Sequence, residues 1–377
     1  MSLQSFGFFG FLLVVAVVYL HLPQRLQSVF LLGASWVFYA LAMPTMLPVT
    51  IAVAVFTYLC GRGLAAWGGV HKTAALRLGV GGLLAILAFF KYNGAFAADG
   101  GWQAVAMPLG ISFYTFAAIS YLIDAARGDC EVETSFIDFA LFLNFFATVT
   151  QGPICRAGAL LPQFKAEHRF DAARTVQALR LLALGLFKLV AVSDVLGLLV
   201  DEVFPHYGSY GGPMLVLAAV FYTFQLYFNF SGYSEVARAV GLLLGLTLPE
   251  NFKTPFFATN FSGFWSRWHI SFSSWLQDIS LCRWPGQILA ALAACPPSCA
   301  CSACSLLPAS GTAAPRHSSS GVCCRRFTAW AKSCCTAALA NPKSAASRPV
   351  CCGASGLWCL FCGPSAWCSS AWGLATF

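Results

Sequence analysis

Long apolar runs separated by short polar or Gly/Pro-bearing breaks fill most of the first 248 residues, near 6–20, 28–42, 47–60, 77–91, 108–123, 136–152, 180–200 and 213–230, with a shorter apolar piece at 236–248. Each is too long and too evenly apolar for the two-residue alternation of a half-buried strand, so each predicts a helix that crosses or enters a bilayer. Several fall short of 18 residues, which predicts tilted or re-entrant segments among them. No fixed-period repeat is present.

The pattern changes between Pro249 and Asp278. Aromatic residues fall at 261, 264, 265, 268, 272 and 275, the i, i+3, i+4, i+7 spacing of one helical face, and Asn260 stands ready as N-cap. At about 100° per residue all six lie within roughly 100° of arc. The spacing therefore predicts one continuous aromatic helix at a membrane boundary or among membrane helices, with His269 on its shoulder and Arg267 on the far side. Read for structure alone, this is an interfacial helix carrying a hydrogen-bonded histidine.

Composition agrees with the pattern. Of 377 residues, 58% are hydrophobic and only 10% charged, and the mean hydropathy is +0.72; the chain is expected to be an all-α polytopic membrane protein. The formal charge of +8 is spread through loops with no lysine-arginine block, which suits anionic lipid and excludes a nucleic-acid partner. The first ten residues lack a basic leader, so the apolar run that follows is expected to stay as the first span. Arg25 and the Arg62–Arg77 stretch set the topology by the positive-inside rule, with the N-terminus outside. The basic segment Arg156–Arg180 then requires one segment to be re-entrant, and Gly152-Pro153 supplies a break. Asn229, Ser231 and Glu235 end the eighth run with polar groups that must face protein or water. His21, His71, His168 and His206 are expected in loops, solvated or interfacial. The chain has no Gly-rich phosphate loop, Gly-x-Ser-x-Gly elbow or His-Glu-x-x-His.

Five blocks in order carry a resemblance: Leu31-Leu-Gly-Ala-Ser-Trp-Val-Phe-Tyr39; Pro108-Leu-Gly-Ile-Ser-Phe-Tyr-Thr-Phe116 running to Asp124-Ala-Ala-Arg-Gly128; Gln151-Gly-Pro-Ile-Cys-Arg156 with Leu161-Pro-Gln-Phe164; Gln225-Leu-Tyr-Phe-Asn-Phe-Ser-Gly-Tyr-Ser234; and Pro249–Asp278. Together they resemble the membrane-bound O-acyltransferases, in the branch of alginate O-acetyltransferases and the teichoic-acid D-alanine transfer proteins. The resemblance implies about eight to ten membrane helices, some re-entrant, around a central funnel in a bacterial inner membrane. It implies no tightly bound cofactor and no metal, and an acyl donor such as acetyl-CoA. The acetyl group would go to an exopolysaccharide hydroxyl or to a periplasmic acetyltransferase partner. D-Alanine or other acyl transfer to an envelope polymer is the alternative; a non-catalytic remnant or carrier is the alternative from another class.

Acyl transfer to a hydroxyl needs a group to take the proton and donors for the developing oxyanion. The resemblance makes His269 an active-site histidine that ligates, orients or assists. Trp265, Arg267, Trp268, Asp278, Asn229 and Glu235 are supporting or tunnel-lining candidates. Arg156 is a candidate for a phosphate or carboxylate of the donor, or a lipid anchor.

Residues 279–377 differ from the 1–278 core. Fourteen of the 17 cysteines lie there and no Asp or Glu does. Cys295, Cys299, Cys301 and Cys304 lack the spacing of a paired Cys-x-x-Cys zinc site. Asp278-Ile-Ser-Leu-Cys-Arg-Trp-Pro-Gly286 can be encoded by GAC ATC TCT TTA TGC CGC TGG CCG GGN, and one T after GAC yields Asp-Tyr-Leu-Phe-Met-Pro-Leu-Ala-Gly, similar to the family's continuation. The same shift at Pro308–Ala313 permits Gly-Leu-Trp-His-Gly, which resembles the block of the family's principal catalytic histidine; in the chain as written the tail's only histidine is His317. A one-nucleotide frameshift after Asp278, leaving an irregular tail, is the expectation. Sequencing the gene through the codons for Gln277–Trp284 checks it: an extra base is expected, and an unbroken frame in the genes of related strains overturns it.

Overall fold

The computed structural model describes residues 4–97 and 105–282. The tail expectations, including the cysteines at 295–304 and His317, lie outside the described residues. The chain divides into two units, Met1–Lys253 with Trp268–Trp275, and Thr254–Arg267 with Leu276–Phe377.

The first unit is helical: α1 (Phe6–His21), α2 (Gln24–Ala42), α3 (Leu47–Ala66), α4 (Gly69–Ala97), α5 (Ile111–Arg127), α6 (Phe136–Asn144), α7 (Ala157–Phe164), α8 (Ala172–Val203) and α9 (Gly212–Leu243). No strand occurs among the described residues. Among the described residues five helices are long and apolar enough to cross a membrane: α2, Pro44–Ala66, Gly69–Asn93, α8 and α9, while α1 is a shorter apolar helix. The 17 residues of α5 are buried almost all round, as befits a central helix. With 9 residues, α6 is about 14 Å long and cannot cross a hydrocarbon core of about 30 Å. That length is compatible with the re-entrant segment that the charge pattern asks for.

The ends follow local chemistry. Ser5 caps α1, Ser135 caps α6 and Asp171 caps α8, each accepting a first-turn amide. Gly110 precedes α5 at φ +68°, and a Cβ there would lie 1.6 Å from the Val149 carbonyl oxygen; only glycine fits.

Beyond α6 the backbone leaves the helix while still buried. The Phe146 amide donates to Ser35 Oγ on α2 at 3.2 Å, and Phe146 joins Phe8, Phe11 and Phe38 with ring centroids 5.4–6.5 Å apart. A turn at 146–151 and an irregular stretch through Gly152-Pro153 lead to α7, a break in helix as the sequence suggests.

Two clamps fix the loops. The Gln27 amide donates to the His168 carbonyl (2.8 Å) and accepts the His168 amide (3.2 Å). His168 is thus not solvated, as its loop position suggested: it is 7% exposed, its ring stacks on Tyr19 and its Nε2 meets the Gln163 carbonyl at 2.7 Å. A clamp from a glutamine 141 residues upstream is invisible to local patterning. In the second clamp, Glu133 accepts the amides of Thr134 and Ser135 through Oε1 (2.9 and 3.0 Å) and pairs with Lys165 through Oε2 at 2.7 Å.

Burial alone would raise the Glu133 carboxyl, but Lys165 and the two amides outweigh it and hold the group below its ordinary 4.5. A depressed carboxyl contributes stability above its unfolded value and loses it as pH falls through the folded value. The detergent-solubilised protein is expected to lose thermal stability on acidification below pH 4.5, and Glu133→Gln to lower the midpoint at pH 7 while flattening that acid limb; parallel acid limbs would contradict the assignment.

Candidate active site

After α9 the chain turns at Gly245 and runs extended to Phe252, with Leu246, Leu248 and Asn251 buried. Asn251 is 1% exposed and holds three elements. Its Nδ2 donates to Ser234 Oγ on α9 (2.8 Å), its carbonyl accepts the Ile270 amide (2.9 Å) and its Oδ1 accepts the Ser271 amide (3.3 Å).

These bonds break the expected aromatic helix. The amides of 270 and 271 would, in one continuous helix, return to carbonyls four residues back; Asn251 takes them instead. The stretch forms α10 (Phe261–Trp265), a turn, and α11 (Ile270–Trp275). His269 stands at the junction with φ +43°, a left-handed conformation that costs a non-glycine residue on the order of 1 kcal/mol and persists where surroundings impose it. One-face periodicity reports side-chain spacing and is blind to such a capture, so the expected shoulder position of His269 is corrected.

The imidazole sits among three rings of the same unit: Phe230 of α9 edge-on at 4.6 Å, Phe252 stacked at 6.4 Å and Phe272 of α11 at 5.3 Å. Its Nδ1 is sealed from solvent and has no hydrogen-bond partner among the described residues. The hydrogen-bonded structural histidine of the sequence reading is therefore not what the site contains. His269 lies outside the five membrane-crossing helices, and burial in this apolar cage pushes its pKa down to about 3. The ring is neutral at physiological pH.

The cage is tied to its surroundings at both ends of α11. Ser271 Oγ accepts the Ile154 amide at 3.0 Å, linking the Gln151–Arg156 block to the histidine. Trp275 Nε1 donates to the Phe116 carbonyl of α5 at 3.0 Å, and its ring stacks on Phe272 at 6.2 Å. Trp268 meets Phe252 at 5.2 Å and Tyr227 at 6.1 Å.

The other predicted residues are dispersed. Arg156 stands at the start of α7 without a side-chain cap bond and reaches Asp124 Oδ2 at 3.4 Å. Asn229 is half-buried on α9, and Glu235 pairs with Lys188 of α8. Trp265, Arg267 and Asp278 belong to the second unit, where Asn260 caps α10 as expected, accepting the Gly263 amide at 2.7 Å. Phe264 packs against Phe256 at 6.3 Å in that unit, and Asp278 lies in a π-turn at Leu276–Cys282. Cys155, beside Ile154, is fully buried and its thiol is pushed up to about 12; it is no thiolate nucleophile at neutral pH.

Sequence reasoning missed Asn251 and Lys188. Asn251 could have been flagged as an amide between apolar neighbours in Pro249-Glu-Asn-Phe252, and Lys188 as a lone lysine midway along an apolar run of 32 residues.

Residues 125–278 match the MBOAT, membrane-bound O-acyltransferase family, and the chain belongs to that family. Among curated proteins it is 37% identical over 285 residues to the "Probable alginate O-acetylase AlgI" of Pseudomonas putida, covering 72% of this chain and 58% of that protein. It is 38% identical over 287 residues to the protein of the same name from Pseudomonas aeruginosa, covering 72% and 54%. A peptidoglycan O-acetyltransferase of Helicobacter pylori is 29% identical over 307 residues, covering 72% and 58%. The chain thus spans a little over half the length of these relatives.

Leaving the Ser234 hydroxyl and the Ser271 amide unmet in a buried setting costs about 1–3 kcal/mol per group. Asn251→Leu is therefore expected to destabilise the purified protein by about 2 kcal/mol or more in denaturant titration, whereas Asn229→Leu on the same helix system changes little. Equal behaviour of the two would remove the clamp from the argument.

Proposed function

We propose that the chain is the core of a bacterial inner-membrane O-acetyltransferase, with its N-terminus periplasmic, moving an acetyl group from a cytoplasmic donor such as acetyl-CoA, without a tightly bound cofactor. The acceptor is an exopolysaccharide hydroxyl of the alginate type or a periplasmic partner that completes the transfer. The observation that carries this reading is His269, a neutral, unpartnered imidazole held on clamped backbone inside an aromatic cage, in the segment that matches the acyltransferase family.

The low pKa supports a donor's role over a base's. A ring that protonates near 3 is a poor base but keeps one N–H to donate. A neutral imidazole can polarise a carbonyl in this way, and a single preorganised donor to a developing oxyanion is typically worth about 10²–10³ in rate. His269 accordingly holds the carbonyl oxygen of the acyl group as negative charge grows on it. The proton of the attacking hydroxyl goes to a second group, the histidine of the Trp-His-Gly block that the resemblance assigns to the shifted reading frame. Trp268 and the cage phenylalanines keep water from the thioester.

Acetyl transfer is favoured over D-alanyl transfer by extent of match: a teichoic acid D-alanyltransferase of Streptococcus thermophilus is 34% identical, but over only 190 residues and 48% of this chain. The remnant reading is the alternative, and it predicts that the chain as written, without the second histidine block, transfers no acetyl.

Membranes carrying the frame-restored gene are expected to transfer labelled acetyl from acetyl-CoA to alginate, and membranes carrying the present chain not to. His269→Gln in the restored enzyme should lower kcat about 10²–10³-fold with little change in KM. A kinetic pKa near 6.5 that disappears in His269→Gln would assign the ring a proton-transfer role and overturn the oxyanion reading.

A further inference from the structure

The α8–α9 hairpin contains a polar feature that the reaction above does not use. Between Phe187 and Ser193, α8 widens into π geometry with no proline to account for it, and such bulges concentrate at functional sites. Lys188 lies in the bulge. Its ammonium donates to Ser231 Oγ of α9 at 3.1 Å and to Glu235 Oε1. Two of its three N–H bonds are thereby engaged. Glu235 Oε2 is buried and has no hydrogen-bond partner among the described residues. The side chains keep 16% and 14% of their exposure, so the pair is not wholly sealed.

Packing does not call for this arrangement. A buried ion pair can commonly be replaced by apolar groups of similar volume without loss of stability, and charges at membrane depth mark ligand or ion pathways. The local wiring has a direction. Tyr227, Ser231 and Glu235 form one i, i+4, i+8 ridge on α9; Tyr227 is hydrogen-bonded to Ser231, and its ring meets Trp268, the residue beside His269, at 6.1 Å. A vacant carboxylate oxygen next to an ammonium with a spare N–H is complementary to an alcohol, which donates its proton to the first and accepts from the second. An amide N–H would satisfy only one of the two. At the Tyr227 end of the ridge the rings of Tyr227, Trp268 and Phe252 pack on one another, an aromatic cluster of the kind that the C–H face of a sugar ring meets.

We propose that Lys188 and Glu235 bind a carbohydrate hydroxyl, the pair holding the acceptor sugar while its reacting hydroxyl is presented at the His269 cage. This rests on the acetyl-transfer reading for the identity of the acceptor, though not for the existence of the site.

The test uses the full chain in lipid nanodiscs, with a tetramer of mannuronate as probe and isothermal titration calorimetry as readout. Saturable binding is expected, weakened at least about tenfold by Glu235→Gln, the loss of a hydrogen bond to a charged acceptor. Because a lone buried Lys188 could unfold that variant, the double substitution Lys188→Met with Glu235→Gln, which removes both charges together, is measured beside it and is expected to fold normally and bind as weakly. Native affinity in the double variant, or no saturable binding by the unsubstituted chain, overturns the proposal. Glu235-dependent binding by a frame-restored enzyme that transfers no acetyl would leave this site standing and remove the function above. Acetyl transfer by the frame-restored double variant at unchanged KM for the sugar would do the reverse.

Discussion

A backbone amide that leaves its helix in an apolar interior must be met by another acceptor, and this need governs the first unit. Water cannot supply the bond there, and an orphaned amide costs as much as several favourable contacts return. Three places where the chain abandons helical geometry are each met by one side chain: Ser35 for Phe146, Ser271 for Ile154, and Asn251 for Ser271. These bonds allow a buried non-helical stretch after α6, an irregular approach to α7, and an interrupted aromatic stripe. The last two share Ser271, so the Gln-Gly-Pro block, the Asn251 segment and the histidine form one mechanical assembly.

The assembly explains how a strained residue can be kept in place. His269 is bracketed by the Asn251 bonds at the start of α11 and by the Trp275 indole reaching Phe116 at its end. Its left-handed backbone is over-determined by the neighbours, and the three surrounding rings supply the apolarity that keeps it uncharged. Geometry and electrostatics have separate origins here: hydrogen bonds to residues 270, 271 and 275 set the first, and Phe230, Phe252 and Phe272 set the second.

Much of this was legible in the sequence. Apolar run length located the crossing helices, and the Gly152-Pro153 break with the charge pattern anticipated a segment that does not cross. Asn260 could be read as a cap because capping is local. The break at His269 could not, since the residue responsible is Asn251, distant by more than a helical turn and outside any periodic window. His168 failed for the same reason, its partner Gln27 lying in another helix. Aromatic spacing supplied the wrong backbone for its stretch. Lys188 escaped because hydropathy averaging submerges one lysine in an apolar run, although that rarity is itself the signal.

The contact between Gly185 and Gly232 has a further bearing. A Cβ on Gly232 would stand 2.9 Å from the Gly185 carbonyl oxygen, so α8 and α9 touch there main chain to main chain. Close apposition of this kind leaves no gap for an acyl chain or a water file between the two rods. The seam acts as a bulkhead one turn from Lys188. Whatever reaches the lysine and its carboxylate from the far end of the hairpin must travel around the helices and not between them.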